Sequence, residues 1–348
     1  MTESAHIVVA GAGGNTGSHL LPHLARLPRV TRLTLVDPDI YTAEDLRAQN
    51  VESPGVGLPK VVAQASRVRQ INPSLDVTAI RGLIEDVPRG LLQCDLMVSA
   101  VDNRAARQRM NELAFRLKTP LVDCGVLGSQ NLARVNAYIP GQDAAPCLEC
   151  LWGQDDYAQI EQEYLCGVVG SAYPTMASSA LGALAASLTA LEIAKLLCGD
   201  LADSVASRQV LVDAQHHVMR VSDVRRNPAC RFDHRCWVIE PWNCRAGTTT
   251  VGAALNAIGG IAVEGHRFVQ ELVCPDCGLQ MKTLRLNRPL MRCPECGRRM
   301  VSTGFSSLDR LDPSLAEGHR SLTLAQIGLC AGDIVSNGVR HYRIAEGA

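Results

Sequence analysis

Aromatic residues are scarce in this 348-residue chain: three Trp, six Tyr and four Phe make up 4% of it. A core without them has to be built from Ala, Leu and Val, which suits the helix-on-sheet packing of an α/β protein. Net charge is nearly absent too, at −1, and gives no support for the broad basic footprint of a nucleic-acid binder, so nucleic acid is not expected as partner. No long unbroken hydrophobic run is present. The longest apolar stretch, Ala172 to Cys198, is interrupted by Pro174, serines, Glu192 and Lys195, and reads as a buried helix rather than a membrane span. The N-terminal MTESAHIVVAGAGG carries neither a basic region nor a cleavage site, so no export signal and no membrane are expected. Repeats and low-complexity tracts are missing, apart from recurring CxxC pairs. Cysteine is the exception to this sparseness, with fourteen copies. Three CxxC pairs in a long chain point to bound metal rather than disulfides, and a reducing cytoplasm is the expected compartment.

The stretch from His6 to Asp39 organises the rest. An apolar run (Ile7, Val8, Val9, Ala10) reads as a buried strand and meets glycines at 11, 13, 14 and 17. Leu20, Leu21, Leu24 and Leu27 then recur at helical spacing, and a second apolar strand (Leu33, Leu35, Val36) ends on Asp37. Glycines in such a turn let backbone approach a phosphate, and the helix N-terminus supplies amide donors. An acidic residue closing the second strand is placed to accept hydrogen bonds from ribose hydroxyls.

Further along, Lys60 opens a helix to about Gln70, Leu75 to Ile80 reads as a third strand, and Cys94 to Val101 as a fourth ending on Asp102-Asn103. A helix from about Arg104 to Leu117 and a fifth strand at 120–125 follow. This alternation predicts a Rossmann-like, doubly wound, mostly parallel sheet, with ligand beyond the carboxyl ends of its strands. Gly11 to Gly17, Asp37 and Asp102 all fall at those ends. From Asn131 the pattern changes: ARVNAYIP alternates like an exposed antiparallel strand, and Gln154 to Tyr164 is a polar segment leading to Cys166. A long Ala/Leu-rich helix is expected from roughly Thr175 to Leu197, then two short strands, RQVLVDA and HHVMRVS. The expected organisation is α/β: residues 1–244 as a nucleotide-binding domain with an antiparallel extension and a zinc site, and 245–348 as a small C-terminal zinc-ribbon/β module.

A lone GxGxxG is weak, but GAGGNTG keeps company with Asp37-x-Asp39, Lys60 after VGLP, and Asp102-Asn103. Together they read as a nucleoside triphosphate site. Loop amides take phosphate, Asp37 takes ribose, Lys60 neutralises phosphate charge and Asp102 holds Mg²⁺. The plain alternative makes Lys60 a solvated helix-start lysine and Asp102 a helix N-cap.

The ordered set GAGGNTG, VDPD, DLRAQN, VGLPK, INP, SAVDNRAAR, CLEC, LTALEIAK and NPAC resembles the ThiF/MoeB/E1-like (ubiquitin-activating-like) family of adenylyltransferases over roughly residues 5–236. The resemblance implies ATP-dependent adenylation of a C-terminal carboxylate, on a ubiquitin-like or sulfur-carrier protein or a peptide, with release of pyrophosphate. It also implies a homodimer. Carried over residue by residue, Gly11, Gly13, Gly14, Gly17, Asp37, Asp39, Gln49, Lys60 and Asn103 are the nucleotide contacts, and Lys60 and Asp102 serve catalysis and Mg²⁺. Two departures stand out. The family's N-L-x-R-Q is here Asp45-Leu46-Arg47-Ala48-Gln49, so Ala48 sits where an arginine is expected, and Arg47, Arg104 or Arg107 are the candidates to replace it. The N-terminal arm of many relatives has no counterpart in the opening residues.

Two zinc sites are expected. Cys147-Leu-Glu-Cys150 pairs with Cys230 and His234, whose C-x3-H spacing suits tetrahedral Cys3His zinc; Cys236 is the alternative fourth ligand, and imidazole is preferred. Cys274-Pro-Asp-Cys277 and Cys293-Pro-Glu-Cys296 read as a zinc ribbon. Arginines around the ribbon are read as a solvated face. Relatives that form a thioester or acyl-disulfide with the activated carrier use a cysteine in a crossover loop comparable to that of Cys166, which would attack the acyl-adenylate; the alternative is a merely structural thiol. Cys124 is taken as core, His216 and His217 as surface. Two competing readings remain: a catalytically degenerate subunit that binds a carrier protein, and an NAD-dependent oxidoreductase, for which no residue nominates a hydride-transfer acid or base.

Overall fold

The computed structural model describes residues 4–165, 177–288, 291–302 and 306–345. The chain divides into two compact units, the first comprising Met1–Ile84 with Gln93–Cys236, the second Glu85–Leu92 with Trp237–Ala348. The C-terminal unit thus begins at 237, eight residues ahead of the boundary read from composition, and takes in a short segment from between two strands of the first.

The first unit is built on one eight-stranded sheet. Its strands are β1 (Ala5–Ala10), β2 (Val30–Val36), β3 (Asp76–Ile80), β4 (Leu96–Ser99), β5 (Leu121–Leu127), β6 (Leu132–Tyr138), β7 (Arg208–Asp213) and β8 (Val218–Asp223). They lie in the order β3-β2-β1-β4-β5-β6-β7-β8. The pairings from β3 to β5 are parallel; β5–β6, β6–β7 and β7–β8 are antiparallel. Strand order reverses direction between β1 and β4, which opens the crevice where such sheets bind ligands. Ile7, Val9, Leu33, Leu35, Leu96 and Val98 are fully buried or nearly so, as continuous apolar runs covered on both faces should be.

The helices are α1 (Asn15–Leu24), α2 (Lys60–Ile71), α3 (Arg104–Arg116), α4 (Gln154–Leu165) and α5 (Ser179–Cys198). The apolar α5 is long enough to cross a membrane by length and composition. Here it serves as a core helix: Leu181, Ala185, Ala186 and Ile193 pack into the same cluster as the sheet residues. Ser178 caps it through Leu181 N, so its start lies a turn later than the apolar run alone indicates. One expectation is corrected, and one segment gains a structure. The strand expected to be exposed, β6, is central, between β5 and β7, with Ala133, Val135, Ala137 and Tyr138 at 0% exposure. The polar segment after Gly153 is α4, with Tyr157 and Ile160 buried and Asp155 exposed.

The second unit has its own core, including Val251, Leu255, Phe268, Leu286, Leu311 and Ile344. Its five-stranded sheet follows the order β15-β10-β16-β17-β9, drawn from β9 (Ile239–Trp242), β10 (Ile261–Ala262), β15 (Arg310–Leu311), β16 (Ile334–Ser336) and β17 (His341–Ile344). One helix, α6 (Val251–Ile258), packs against it. A further sheet is formed by β11 (Phe268–Val273), β12 (Gln280–Leu286), β13 (Val301–Ser302) and β14 (Ser307–Leu308). Glu85–Leu92 joins this unit through Arg89, which pairs with Glu264 at 3.0 Å, and through Gly90 N, which donates to Gly332 O at 2.7 Å.

Candidate functional site

The β1–α1 turn sits at the mouth of the crevice. Gly11 has φ +74°, and a Cβ there would stand 2.5 Å from Ala100 O, so only glycine lets the turn close over the end of β4. Gly14 precedes α1 in extended conformation and leaves the first amides of the helix directed out of its N-terminus. Gly13 abuts the Lys60 side chain, where any Cβ would collide with the lysine stem. Gly17 likewise lies too close to Gly11 O to carry a side chain.

Asp37, at the end of β2, is 4% exposed. Its carboxylate accepts hydrogen bonds from Gly13 N (2.9 Å) and Asp39 N (3.1 Å). Burial pushes its pKa up, and the two backbone amides and Lys60 only partly offset this. Lys60 is 7% exposed although it opens α2, which removes the solvated-lysine alternative. Its Nζ stands 3.5 Å from Asp39 and 3.8 Å from Asp45, and 5.5 Å from the centre of the Tyr41 ring. Tyr41 OH donates to Gly13 O at 3.0 Å and is held by Gln64 Nε2 at 2.7 Å. Gln49 Nε2 donates to Asp45 at 2.6 Å. A chain of bonds thereby ties the glycine turn, the polar loop and α2 into one frame around the lysine. Tyr41, Asp45 and Gln64 are the parts of that frame sequence reasoning missed; two of them lie in a loop that reads as punctuation.

Asp102 is exposed beyond the end of β4, and its Oδ1 accepts from Asn103 Nδ2 at 3.2 Å. The helix cap is Asn103, whose Oδ1 accepts from Ala106 N at 2.7 Å, so Asp102 is not the N-cap of α3. An exposed carboxylate at this mouth offers the hard oxygen that Mg²⁺ takes. Of the three candidate arginines, Arg104 pairs with Asp156 at 2.8 Å and with Gln159 at 2.8 Å, both on α4. Arg107 is tied to Asp123 and to the carbonyls of Val101 (2.6 Å) and Cys124 (3.0 Å). Arg47 is exposed on the 3-10 turn Asp45–Arg47. Cys166 lies outside the described residues.

Cys147, Cys150, Cys230 and His234 bring their ligand atoms within 4.8 Å of one another. Cys147 Sγ is 3.8 Å from the sulfurs of both Cys150 and Cys230, and Cys150 Sγ is 3.2 Å from His234 Nε2. Tetrahedral zinc with Zn–S of ~2.3 Å requires sulfur–sulfur edges of about 3.8 Å, so this donor set fits the ion. The fourth position is filled by His234, and Cys236 is not in the cluster. Cys274, Cys277, Cys293 and Cys296 form the second cluster, with Cys274–Cys296 at 3.3 Å and Cys277–Cys293 at 3.5 Å. Four soft ligands in each leave no open position for chemistry. Cys124 is core, at 0% exposure, and burial pushes its thiol up to about 12. His216 and His217 are exposed in the β7–β8 turn.

Comparison with known proteins places these features in context. Residues 2–232 match the model of the ThiF family. The molybdopterin-synthase adenylyltransferase of Escherichia coli is 27% identical over 231 residues, covering 66% of this chain and 86% of that one. The sulfur carrier protein ThiS adenylyltransferase of the same organism is 26% identical over 233 residues, covering 65% and 84%. Among solved structures, Escherichia coli MccB with ATP superimposes with a TM-score of 0.53 at 20% identity over 66% of each chain, a likeness of fold.

Proposed function

Because this chain belongs to the ThiF family, whose curated relatives are adenylyltransferases, we propose that it adenylates the C-terminal carboxylate of a sulfur-carrier or ubiquitin-like protein, or of a peptide, at the expense of ATP. The carrying observation is Lys60, buried against Gly13 and facing Asp39 and Asp45 at the mouth of the β1–β4 crevice. Held there by Asp39 and Asp45, it is a cation at the place where phosphate charge would have to be stabilised. The α1 amides and Lys60 receive the phosphates, and Asp37 the ribose. Asp102 would hold Mg²⁺, which when bound neutralises charge on the phosphates. One carboxylate oxygen of the carrier bonds to the α-phosphorus, the bond from that phosphorus to the bridging oxygen breaks, and pyrophosphate leaves with its electron pair. No proton has to move, so positioning and charge stabilisation supply the rate.

ATP–pyrophosphate exchange with small Gly-Gly-ending proteins tests the reading. Carrier-dependent exchange that falls at least ~100-fold in Lys60→Ala and in Asp102→Ala is the expected outcome. Binding of ATP without exchange for any carrier would favour the second reading, a carrier-binding subunit that does not adenylate, for which Ala48 at the family's arginine position speaks. Failure to bind ATP would remove the adenylation reading.

A further inference from the structure

Asp123 on β5 is wholly buried and faces two guanidinium groups. Its Oδ1 accepts from Ser99 Oγ at 2.8 Å and from Arg107, and its Oδ2 accepts from Arg134 Nη2 at 2.7 Å. Ser99 and Arg107 share Oδ1, and Arg134 takes Oδ2. Arg107 is 14% exposed and spends further donors on the carbonyls of Val101 and Cys124, which makes it the structural member of the pair. Arg134 differs. Its side chain is 29% exposed, and among the described residues the bond to Asp123 is its only hydrogen bond. One carboxylate between two arginines leaves one positive charge over.

That surplus charge has a definite place. Ser99 and Asp123 form the last rung of the β4–β5 ladder, and Arg134 pairs with Gly125, two residues further out. Arg134 reaches back to Asp123 on β5, and β5 lies one strand spacing (about 4.8 Å) from β4, whose end leads into Val101-Asp102. Gly125 has to be bare here, since a Cβ would stand 2.6 Å from Arg107 Nη2, and the space above it is left to the arginines. We infer that Arg134 binds the terminal carboxylate of the acyl substrate and orients it toward the α-phosphate. The inference rests on the adenylation reading for its reaction but on Arg134 alone for its recognition. A guanidinium anchored by Asp123 on one edge still presents a donor edge, the geometry with which arginine takes carboxylates.

The test uses the full-length protein and a Gly-Gly-ending carrier from the same organism, prepared as free acid and as C-terminal carboxamide. Equilibrium binding and ATP–pyrophosphate exchange are measured for the wild type, Arg134→Ala and Arg134→Lys. Asp123 Oδ1 keeps Arg107 and Ser99 in both variants, Arg134→Lys keeps a cation for Oδ2, and an unchanged ATP KM shows that the site has kept its fold. The wild type should bind the acid about tenfold more tightly than the carboxamide. Arg134→Ala should erase that preference and raise the carrier KM by a similar factor with the ATP KM unchanged, and Arg134→Lys should recover part of both. A preference that survives in Arg134→Ala overturns the inference. So does a rise in the ATP KM instead, which would put the arginine on phosphate. A wild type that prefers the acid through Arg134 yet shows no exchange leaves the inference standing and removes the adenylation reading. Exchange without any acid preference does the reverse, and a wild type showing neither overturns both.

Discussion

Asp37 and Lys60 are opposite charges in one buried frame, and ionising the acid is costly there. Burial dominates its environment and holds its pKa above the ordinary carboxylate value. The folded chain therefore binds a proton at Asp37 more tightly than the unfolded chain does. Its ionised form works against stability above both pKa values, and that cost disappears as pH falls through the raised one. Nucleotide binding runs the other way, because a ribose hydroxyl donates to the carboxylate and not to the acid. Calorimetric titration with ATP from about pH 7 down to pH 4 should show affinity falling at a pH above the ~3.9 of an exposed aspartate. Asp37→Asn should flatten that profile. Gly13, Asp37 and Lys60 were legible in the sequence because turn glycines, a strand-terminal acid and a helix-opening lysine are local signals. The bonds of Tyr41 to Gln64 and of Asp123 to Ser99, Arg107 and Arg134 were not, since they form only when a loop packs on α2 and when α3 packs on β4, β5 and β6.

At the scale of elements, the Cys147–Cys150 knuckle does more than gather sulfur. Glu149 between the two cysteines is 2% exposed and accepts from Gln108 (3.1 Å) and Asn111 (3.2 Å) on α3 and from Tyr157 (3.0 Å) on α4. From the other side, Arg116 on α3 pairs with Asp233 at 2.6 Å, and Phe115 meets Phe232 edge-on. Glu149 thus ties α3, whose first residues follow Asp102, to α4, and a metal at this cluster would hold the knuckle that carries it. His234→Ala should lower the zinc content from about two ions to about one per chain, leaving the ribbon loaded. It should also cost about 2 kcal/mol or more, lowering Tm of the first unit by ~4–8 °C; metal analysis beside calorimetry reads both. An unchanged zinc content would mean that the cluster does not use the histidine. These clamps explain why a polar segment forms a helix here. The helix α4 has little apolar periodicity of its own and is held by Arg104, Glu149 and Arg231, whose guanidinium lies 4.2 Å from the Tyr157 ring centre. Strand β6 alternates enough to look half-solvated, but the antiparallel β7 and β8 cover its outer edge.

For the molecule as a whole, two units with separate cores should melt separately. Scanning calorimetry is expected to show two transitions. Saturating ATP should raise one of them, by linkage worth ~2.7 kcal/mol at a hundredfold excess over Kd, while Cys274→Ser should lower the other. A single transition moved by both would contradict that independence. The doubly wound sheet was readable because its strands and helices alternate at regular length. The ownership of Glu85–Leu92 was not, because its 3-10 turns carry no periodic pattern and its partners lie far downstream.

That ownership has a consequence in time. Arg89 and Glu264 are 175 positions apart. A ribosome adding ~5–20 residues per second needs roughly 9 to 35 s to supply the second after the first. Through that interval the sheet of the first unit can assemble on either side of a segment whose destination has not yet been translated. A chain cut after Cys236 would keep that segment permanently in waiting, with Arg89 and Gly90 deprived of Glu264 and Gly332.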